Sequence, residues 1–116
     1  RSDVSDLSPC LSIGDVQELQ RLTSLVQVEQ SLQEYILNLV RATREDEDIT
    51  LGVSPRGTVA LYRAVQALAF LEDREFALPD DIKYLAPYVL AHRMIPAGGR
   101  RARAIVDRLL HTIAIP

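Results

Sequence analysis

The residues with the clearest chemical potential form a short string near the middle of the chain, Ser54-Pro55-Arg56. Serine is a common helix N-cap because its hydroxyl can accept hydrogen bonds from free backbone amides. Proline favours the first helical position, where no N–H is needed. Arg56 would then be the second residue of a helix, beside amides that favour an anion. The string is therefore compatible with an arginine presented to an anion, although the local pattern by itself favours a simply solvated arginine at a capped helix start.

Gly52 and a long apolar segment flank this string and would position it. Gly52 is predicted to allow a sharp turn, because glycine adopts backbone angles that other residues avoid. Residues 59–71 are almost continuously apolar, and Val59 and Leu71 extend the pattern over more than one face. Such a pattern predicts the central and most buried helix of the fold, a rigid support for Arg56.

Four further segments carry apolar residues at helical spacing. They cover about residues 12–26, 29–44, 79–94 and 101–112. Pro79 is predicted to open the third of them, and Pro87 to kink or split it at Ala86. No stretch alternates with period two. The sequence therefore predicts an all-α fold, a small helical bundle of four to five main helices over residues 13–116.

The connections between these segments are predicted to be irregular. Residues 1–12 are interpreted as a linker, the acidic run at 45–48 as a solvated loop, and residues 96–99 as a flexible connection. Residues 76–78 are predicted to be extended and to tuck into the core.

Composition limits the class of protein. The chain has 116 residues, 47% hydrophobic and 25% charged, which is typical of one globular domain. Its net charge of −3 gives no general attraction to nucleic acid or to anionic membranes. Cys10 is the only cysteine, which excludes an internal disulfide and favours a reducing, cytoplasmic compartment. No apolar run approaches the ~20 residues that span a membrane. The start at Arg1 without methionine indicates a piece of a longer chain.

Other chemically capable residues have simpler explanations. Asp80 and Asp81 follow a predicted helix start, where acids are favoured, and consecutive helical residues point about 100° apart. His92 and His111 are too far apart in sequence to indicate a metal pair, and Cys10 has no evident activating base. The sequence therefore predicts neither a metal site nor an acid–base pair.

Two other function classes remain open from the residues alone. A helix-turn-helix DNA binder could use residues 58–72 and 79–93, with residues 100–103 as the only basic patch. Its turn would be longer than usual, and Asp80 and Asp81 would repel phosphates. The second alternative is a stand-alone helical module that binds a partner protein in an apolar groove.

Three strings in a fixed order resemble a known family. They are Leu-Gly-Val-Ser-Pro-Arg at 51–56, Gln-Ala-Leu-Ala-Phe-Leu at 66–71 followed by Arg74, and Leu-Pro-Asp-Asp-Ile-Lys at 78–83 followed by Val-Leu-Ala-His-Arg at 89–93. In this order and spacing they resemble the C-terminal helical lid of MoxR-family AAA+ ATPases. The resemblance covers roughly residues 12–116, including Ala-Thr-Arg at 42–44.

The resemblance implies a function that this chain completes only in part. It implies a preceding AAA+ core of the same chain that binds ATP and magnesium, and a ring of identical subunits. MoxR relatives are regarded as chaperone-like remodelling motors, often with von Willebrand A-domain partners. Arg56 matches the sensor-2 arginine that reaches the γ-phosphate, Ser54 and Pro55 adjoin the nucleotide, and Pro55 is expected against the adenine.

The chain by itself is expected neither to hold ATP or magnesium nor to hydrolyse ATP. A phosphate-binding loop requires a lysine after a glycine-rich turn, and the only lysine is Lys83.

Overall fold

The computed structural model describes residues 12–116, so the linker predicted over residues 1–12 lies outside the described part except for Ser12. Five helices and a two-stranded sheet make up this region. In chain order they are α1 (Ile13–Thr23), α2 (Gln30–Glu45), β1 (Ile49–Leu51), α3 (Pro55–Leu71), α4 (Pro79–Ala91), β2 (Ile95–Pro96) and α5 (Ala102–Thr112). The prediction of a mainly helical bundle with four to five helices is confirmed.

Helices α2 to α5 form one hydrophobic core. Their innermost side chains are completely or almost completely shielded from solvent, as expected for stripes of apolar residues at helical spacing. This innermost group includes Ile36, Leu39, Leu61, Val65, Ile82, Leu90 and Val106. Helix α4 lies between α3 and α5 and packs against both.

Helix α1 is peripheral to this core. Ser12 caps it, because the serine hydroxyl accepts a hydrogen bond from the Asp15 amide while the Asp15 carboxylate accepts one from the Ser12 amide. The predicted apolar stripe is present, but no α1 residue is buried, and Val16 and Leu19 are 43% and 45% exposed. Ile13, at its start, is 80% exposed.

Helix α3 is central, but the face that it buries is narrower than predicted. Its buried apolar line runs through Leu61, Val65 and Ala69, which are spaced four residues apart and therefore share one face. Val59 and Leu71 lie off this line and are 48% and 76% exposed, so the prediction that they are core residues is wrong.

Helix α4 begins at Pro79 as predicted and runs without interruption through Pro87 to Ala91. The predicted split at Ala86 is therefore wrong. Ala86 and Pro87 are both buried, because α4 packs between α3 and α5. These contacts hold the helix together although proline contributes no N–H to its hydrogen bonds.

The structure contains a small sheet that the sequence did not predict. Strands β1 and β2 pair in antiparallel fashion, with Ile49 opposite Pro96 and Leu51 opposite Ile95. Strands of three and two residues are too short for alternation to be recognised. The first residues of the predicted flexible connection are therefore fixed by pairing, and Gly98 supplies a left-handed turn at φ 36°.

The acidic run is also more ordered than a solvated loop. The Asp46 carboxylate accepts two hydrogen bonds from Arg108 on α5, at 2.9 and 2.8 Å, and its side chain is only 12% exposed. Asp48 lies 3.4 Å from Arg108 and 3.5 Å from Arg100. These contacts tie the α2–β1 turn to α5, and the prediction of a solvated run is wrong for Asp46.

The segment after α3 is extended as predicted, but only partly buried. Ala77 donates its amide to the Gln27 carbonyl at 2.8 Å and is buried, whereas Phe76 and Leu78 are 51% and 37% exposed. Alternation of side chains along an extended segment explains the difference.

Candidate functional site

The candidate site is the loop between β1 and α3, together with the first turn of α3. The buried Thr43 hydroxyl on α2 fixes this loop. It donates to the Val40 carbonyl at 2.6 Å and accepts from the Val53 amide at 3.0 Å. Thr43 is completely shielded from solvent. Because a buried amide without a partner is costly, this hydroxyl determines where the chain enters α3.

Gly52 is required by close packing, which corrects the sequence prediction of unusual backbone angles. The only glycine with positive φ in residues 12–116 is Gly98. A Cβ at Gly52 would instead lie 2.7 Å from both the Thr43 carbonyl oxygen and the Arg44 Cα. The loop therefore lies directly against the C-terminal turn of α2, closer than any residue with a side chain would permit.

Val53 and Gly57 fix the first turn of α3. Val53 is completely buried, and a Cβ on Gly57 would overlap its Cγ1 atom. The Gly57 amide donates to the Ser54 carbonyl at 2.9 Å, the first backbone bond of the helix. The helix start thus rests on a buried valine, and it is held rigidly relative to α2.

The predicted site residues occupy this fixed start. Ser54 has the extended conformation of an N-cap, but its hydroxyl makes no capping hydrogen bond, so that part of the prediction is wrong. Pro55 is the first helical residue and Arg56 the second, as predicted. All three are exposed. Arg56 forms no ion pair with any carboxylate in residues 12–116.

Two further arginines, which sequence reasoning did not select, lie beside this start. Arg44 at the end of α2 and Arg93 just after α4 line a cleft of about 350 Å³ together with Gly52 and Ser54. Neither arginine makes an ion pair in the described part of the chain. The sequence predicts that both residues lie at helix C-termini, where the helix dipole stabilises a cation. It does not show that they line the same cleft.

The arginine at the other end of α3 has a different environment. Arg74 donates two hydrogen bonds to the Asp81 carboxylate, at 2.8 and 2.7 Å. The Asp81 side chain is 6% exposed and also accepts from the Leu78 amide at 2.8 Å. Hydrogen bonding to this carboxylate raises the pKa of Arg74. Asp81 therefore joins the α3–α4 connection to the start of α4, in addition to its predicted role at the helix start.

The remaining candidate groups do not form a second chemical site. Asp80 is exposed whereas Asp81 is buried, so the two carboxylates do not face each other. Within residues 12–116, no three His, Cys, Asp or Glu side chains are grouped as metal ligands. No helix in this region has the length and hydropathy of a membrane-spanning segment. Cys10 lies outside the described residues.

Comparison with known proteins decides the family. The family model described as the AAA lid domain matches residues 41–109. The chain is an AAA lid domain. The match includes the Thr43 anchor, the Gly52 loop, Arg56 and the Arg74–Asp81 pair. With the relatives named below, it confirms the resemblance to the lid of MoxR-family AAA+ ATPases.

Three proteins illustrate the relationship. The lid domain is 41% identical over 118 residues to the uncharacterised protein YeaC of Bacillus subtilis, covering 97% of the lid chain and 37% of YeaC. It is 29% identical over 120 residues to the chaperone MoxR1 of Mycobacterium tuberculosis, covering 91% and 32%. A crystal structure of a candidate ATPase from Cytophaga hutchinsonii superposes with a TM-score of 0.83 at 33% identity, covering 89% and 36%. The lid domain thus spans about a third of the length of the proteins that it matches.

Proposed function

We propose that this lid domain is the C-terminal lid of a MoxR-type AAA+ ATPase and that Arg56 is its sensor-2 arginine. In the proposal, the guanidinium contacts the γ-phosphate of ATP, which a preceding core domain holds with magnesium. One observation carries the proposal: Arg56 is exposed, forms no ion pair within residues 12–116, and is the second residue of a helix whose start is fixed by buried contacts.

The chemistry of phosphoryl transfer explains why an arginine would be held in this way. Negative charge is spread over the γ-phosphate oxygens as the bond breaks, and a guanidinium offers both charge and several N–H donors. The γ-phosphate leaves after hydrolysis, so Arg56 contacts the ATP state more strongly than the ADP state. Such a differential contact lets the nucleotide bias the angle between lid and core.

The wider assembly follows from the same proposal. Ser54 and Pro55 adjoin the nucleotide, with Pro55 against the adenine, and the lid packs on the core of its own subunit in a ring of identical subunits. The motor acts as a chaperone-like remodeller, which the name of the relative MoxR1 supports. A von Willebrand A-domain protein is the proposed partner type, and the cytoplasm the proposed location.

The test is a pair of substitutions in the longer protein. Arg56→Ala is expected to lower kcat for ATP hydrolysis at least about tenfold, because a transition-state contact is lost. Arg63→Ala is the matched control, because Arg63 is another exposed arginine on α3, seven residues further along. An Arg56→Ala enzyme with unchanged kcat and unchanged dependence of ring assembly on nucleotide would overturn the proposal.

A second measurement uses the 116-residue chain alone. It is expected to release no phosphate from ATP above the rate of a blank, since the phosphate-binding loop belongs to the core. Steady turnover by the purified chain that disappears in Arg56→Ala would contradict the assignment as a lid.

A further inference from the structure

We propose that the cleft lined by Arg44 and Arg93 is a second anion site of the lid, which binds the polyphosphate chain of a nucleotide beside Arg56. The inference deepens the proposed function and rests on it for the source of the anion. The cleft itself can be tested without it. Its features are two arginines that form no ion pair within residues 12–116, a cavity of sufficient size and a loop fixed by close packing.

The two arginines converge from different helices. Arg44 is in the last turn of α2, and its Cα and Cγ lie against Gly52. Arg93 follows the C-terminal end of α4, and its Cδ lies 3.4 Å from where a Cβ on Gly57 would be. Glycine at position 52 therefore lets Arg44 lie against the loop, and Arg93 lies at ordinary contact distance from the first turn of α3. The stabilisation of cations at helix C-termini explains the position of each arginine in the sequence. It does not explain why both line the same cleft.

Two of the four acids that follow Arg44 in sequence are used elsewhere. Asp46 pairs with Arg108 on α5, and Asp48 pairs with Arg108 and with Arg100, which precedes α5. Glu45 and Glu47 form no ion pair within residues 12–116. The ion pairs formed within residues 12–116 leave Arg44 and Arg93 without a carboxylate, although the whole chain has net charge −3. Two like charges around one cleft repel each other, and a multivalent anion between them would remove that repulsion.

Size and position favour a phosphate chain over a single carboxylate. The cleft volume of about 350 Å³ is at the lower end of the range for small-molecule sites. Arginine matches phosphate oxygens with two parallel N–H donors, so two arginines can hold adjacent phosphates. Ser54 lines the cleft and is two residues from Arg56. A nucleotide whose terminal phosphate meets Arg56 would therefore bring its other phosphates close to this cleft.

The first experiment titrates the 116-residue chain with sodium pyrophosphate at low salt and follows backbone amides by NMR. We expect saturable shifts at Gly52, Val53 and Ser54. Arg93→Gln and Arg44→Gln should each raise the apparent Kd at least about fivefold, because each removes a charge-assisted contact. Arg63→Gln makes the same change in net charge outside the cleft and should change the Kd less than about twofold.

Several outcomes would overturn the inference. Equal weakening by Arg93→Gln and Arg63→Gln would mean that only net charge matters. Shifts confined to residues 100–103 would place the anion elsewhere. Stronger binding of an aspartate-rich peptide than of pyrophosphate would assign the cleft to a protein carboxylate instead.

A second experiment separates this inference from the sensor-2 proposal. In the longer protein, Arg93→Gln should raise the KM for ATP at least about fivefold with a smaller change in kcat, whereas Arg56→Ala should act mainly on kcat. If Arg56→Ala lowers kcat but Arg93→Gln leaves the KM for ATP unchanged, only the proposal of a second anion site would be overturned. If the isolated chain binds pyrophosphate but Arg56→Ala leaves kcat unchanged, only the assignment of Arg56 as the sensor-2 arginine would be overturned.

Discussion

The arginines at the two ends of α3 differ in burial and in ion pairing. At the C-terminal end, Arg74 is held by two short hydrogen bonds to the nearly buried Asp81. At the N-terminal end, Arg56 is exposed, and Arg44 and Arg93 line the cleft beside Ser54, the residue that precedes the helix. None of these three arginines forms an ion pair within residues 12–116. Burial and pairing identify the first arginine as part of the fold. Exposure on a rigid support leaves the others available to a ligand, and the predictions below test this difference.

The largest effect is expected for the paired arginine. Arg74→Ala would leave the nearly buried Asp81 carboxylate without its cation and should lower the free energy of unfolding more than any other substitution proposed here. Arg56→Ala removes an exposed side chain that forms no ion pair within residues 12–116, and should change the free energy of unfolding by less than about 0.5 kcal/mol. Urea denaturation of both variants measures the difference. Similar losses of unfolding free energy in the two variants would contradict the claim that only Arg74 is part of the fold.

An intermediate effect is expected at the loop that holds Arg56 in place. Gly52→Ala would force a Cβ to within 2.7 Å of backbone atoms of Thr43 and Arg44, and should destabilise the fold by about 2 kcal/mol. Gly99→Ala is the matched control, because a Cβ there meets nothing within 4 Å and φ is not in the left-handed region. A neutral Gly52→Ala would show that the loop is not rigid.

The smallest effect concerns pH and a second paired carboxylate. Partial burial opposes the charged form of Asp46, but the Asp48 amide and Arg108 outweigh it, so the pKa of Asp46 is lowered. A carboxylate with a lowered folded-state pKa stabilises the fold above its unfolded pKa of about 4, and this contribution is lost as pH falls through the folded pKa. The free energy of unfolding should therefore fall between pH 5 and pH 3.

The control for this pH effect is Asp46→Asn, which removes the titrating group. The variant should lose less stability over the same range, by a difference below about 1 kcal/mol because the pair is close to the surface. The measurement is urea denaturation at both pH values. An equally steep loss in Asp46→Asn would assign the acid sensitivity to other carboxylates.

The sequence was most informative where a local pattern determines the structure. The five helices, the helix start at Pro55 and the position of Arg56 follow from apolar spacing and from proline at the first helical position. Helix α1 shows the limit of such patterns, because Val16 and Leu19 have core-like spacing and are nonetheless about half exposed. Periodicity identifies an apolar face, but not the surface that covers it.

The features that the sequence did not reveal depend on contacts distant along the chain. Thr43 supports Val53 from ten residues away, and Arg93 reaches the α3 start from beyond α4. The β1–β2 pair, which brings these segments together, is too short to leave a pattern. Gly52 was selected for the wrong reason, since only the folded structure shows how closely it approaches α2.

The central claim concerns one contact, between Arg56 and the terminal phosphate of ATP. A structure of the longer protein with a non-hydrolysable ATP analogue and magnesium measures it directly. The account predicts a guanidinium nitrogen of Arg56 at about 2.7–3.2 Å from a γ-phosphate oxygen, with the fold of residues 12–116 unchanged. Arg56 pointing away from the nucleotide, with the analogue fully bound between core and lid, would contradict it.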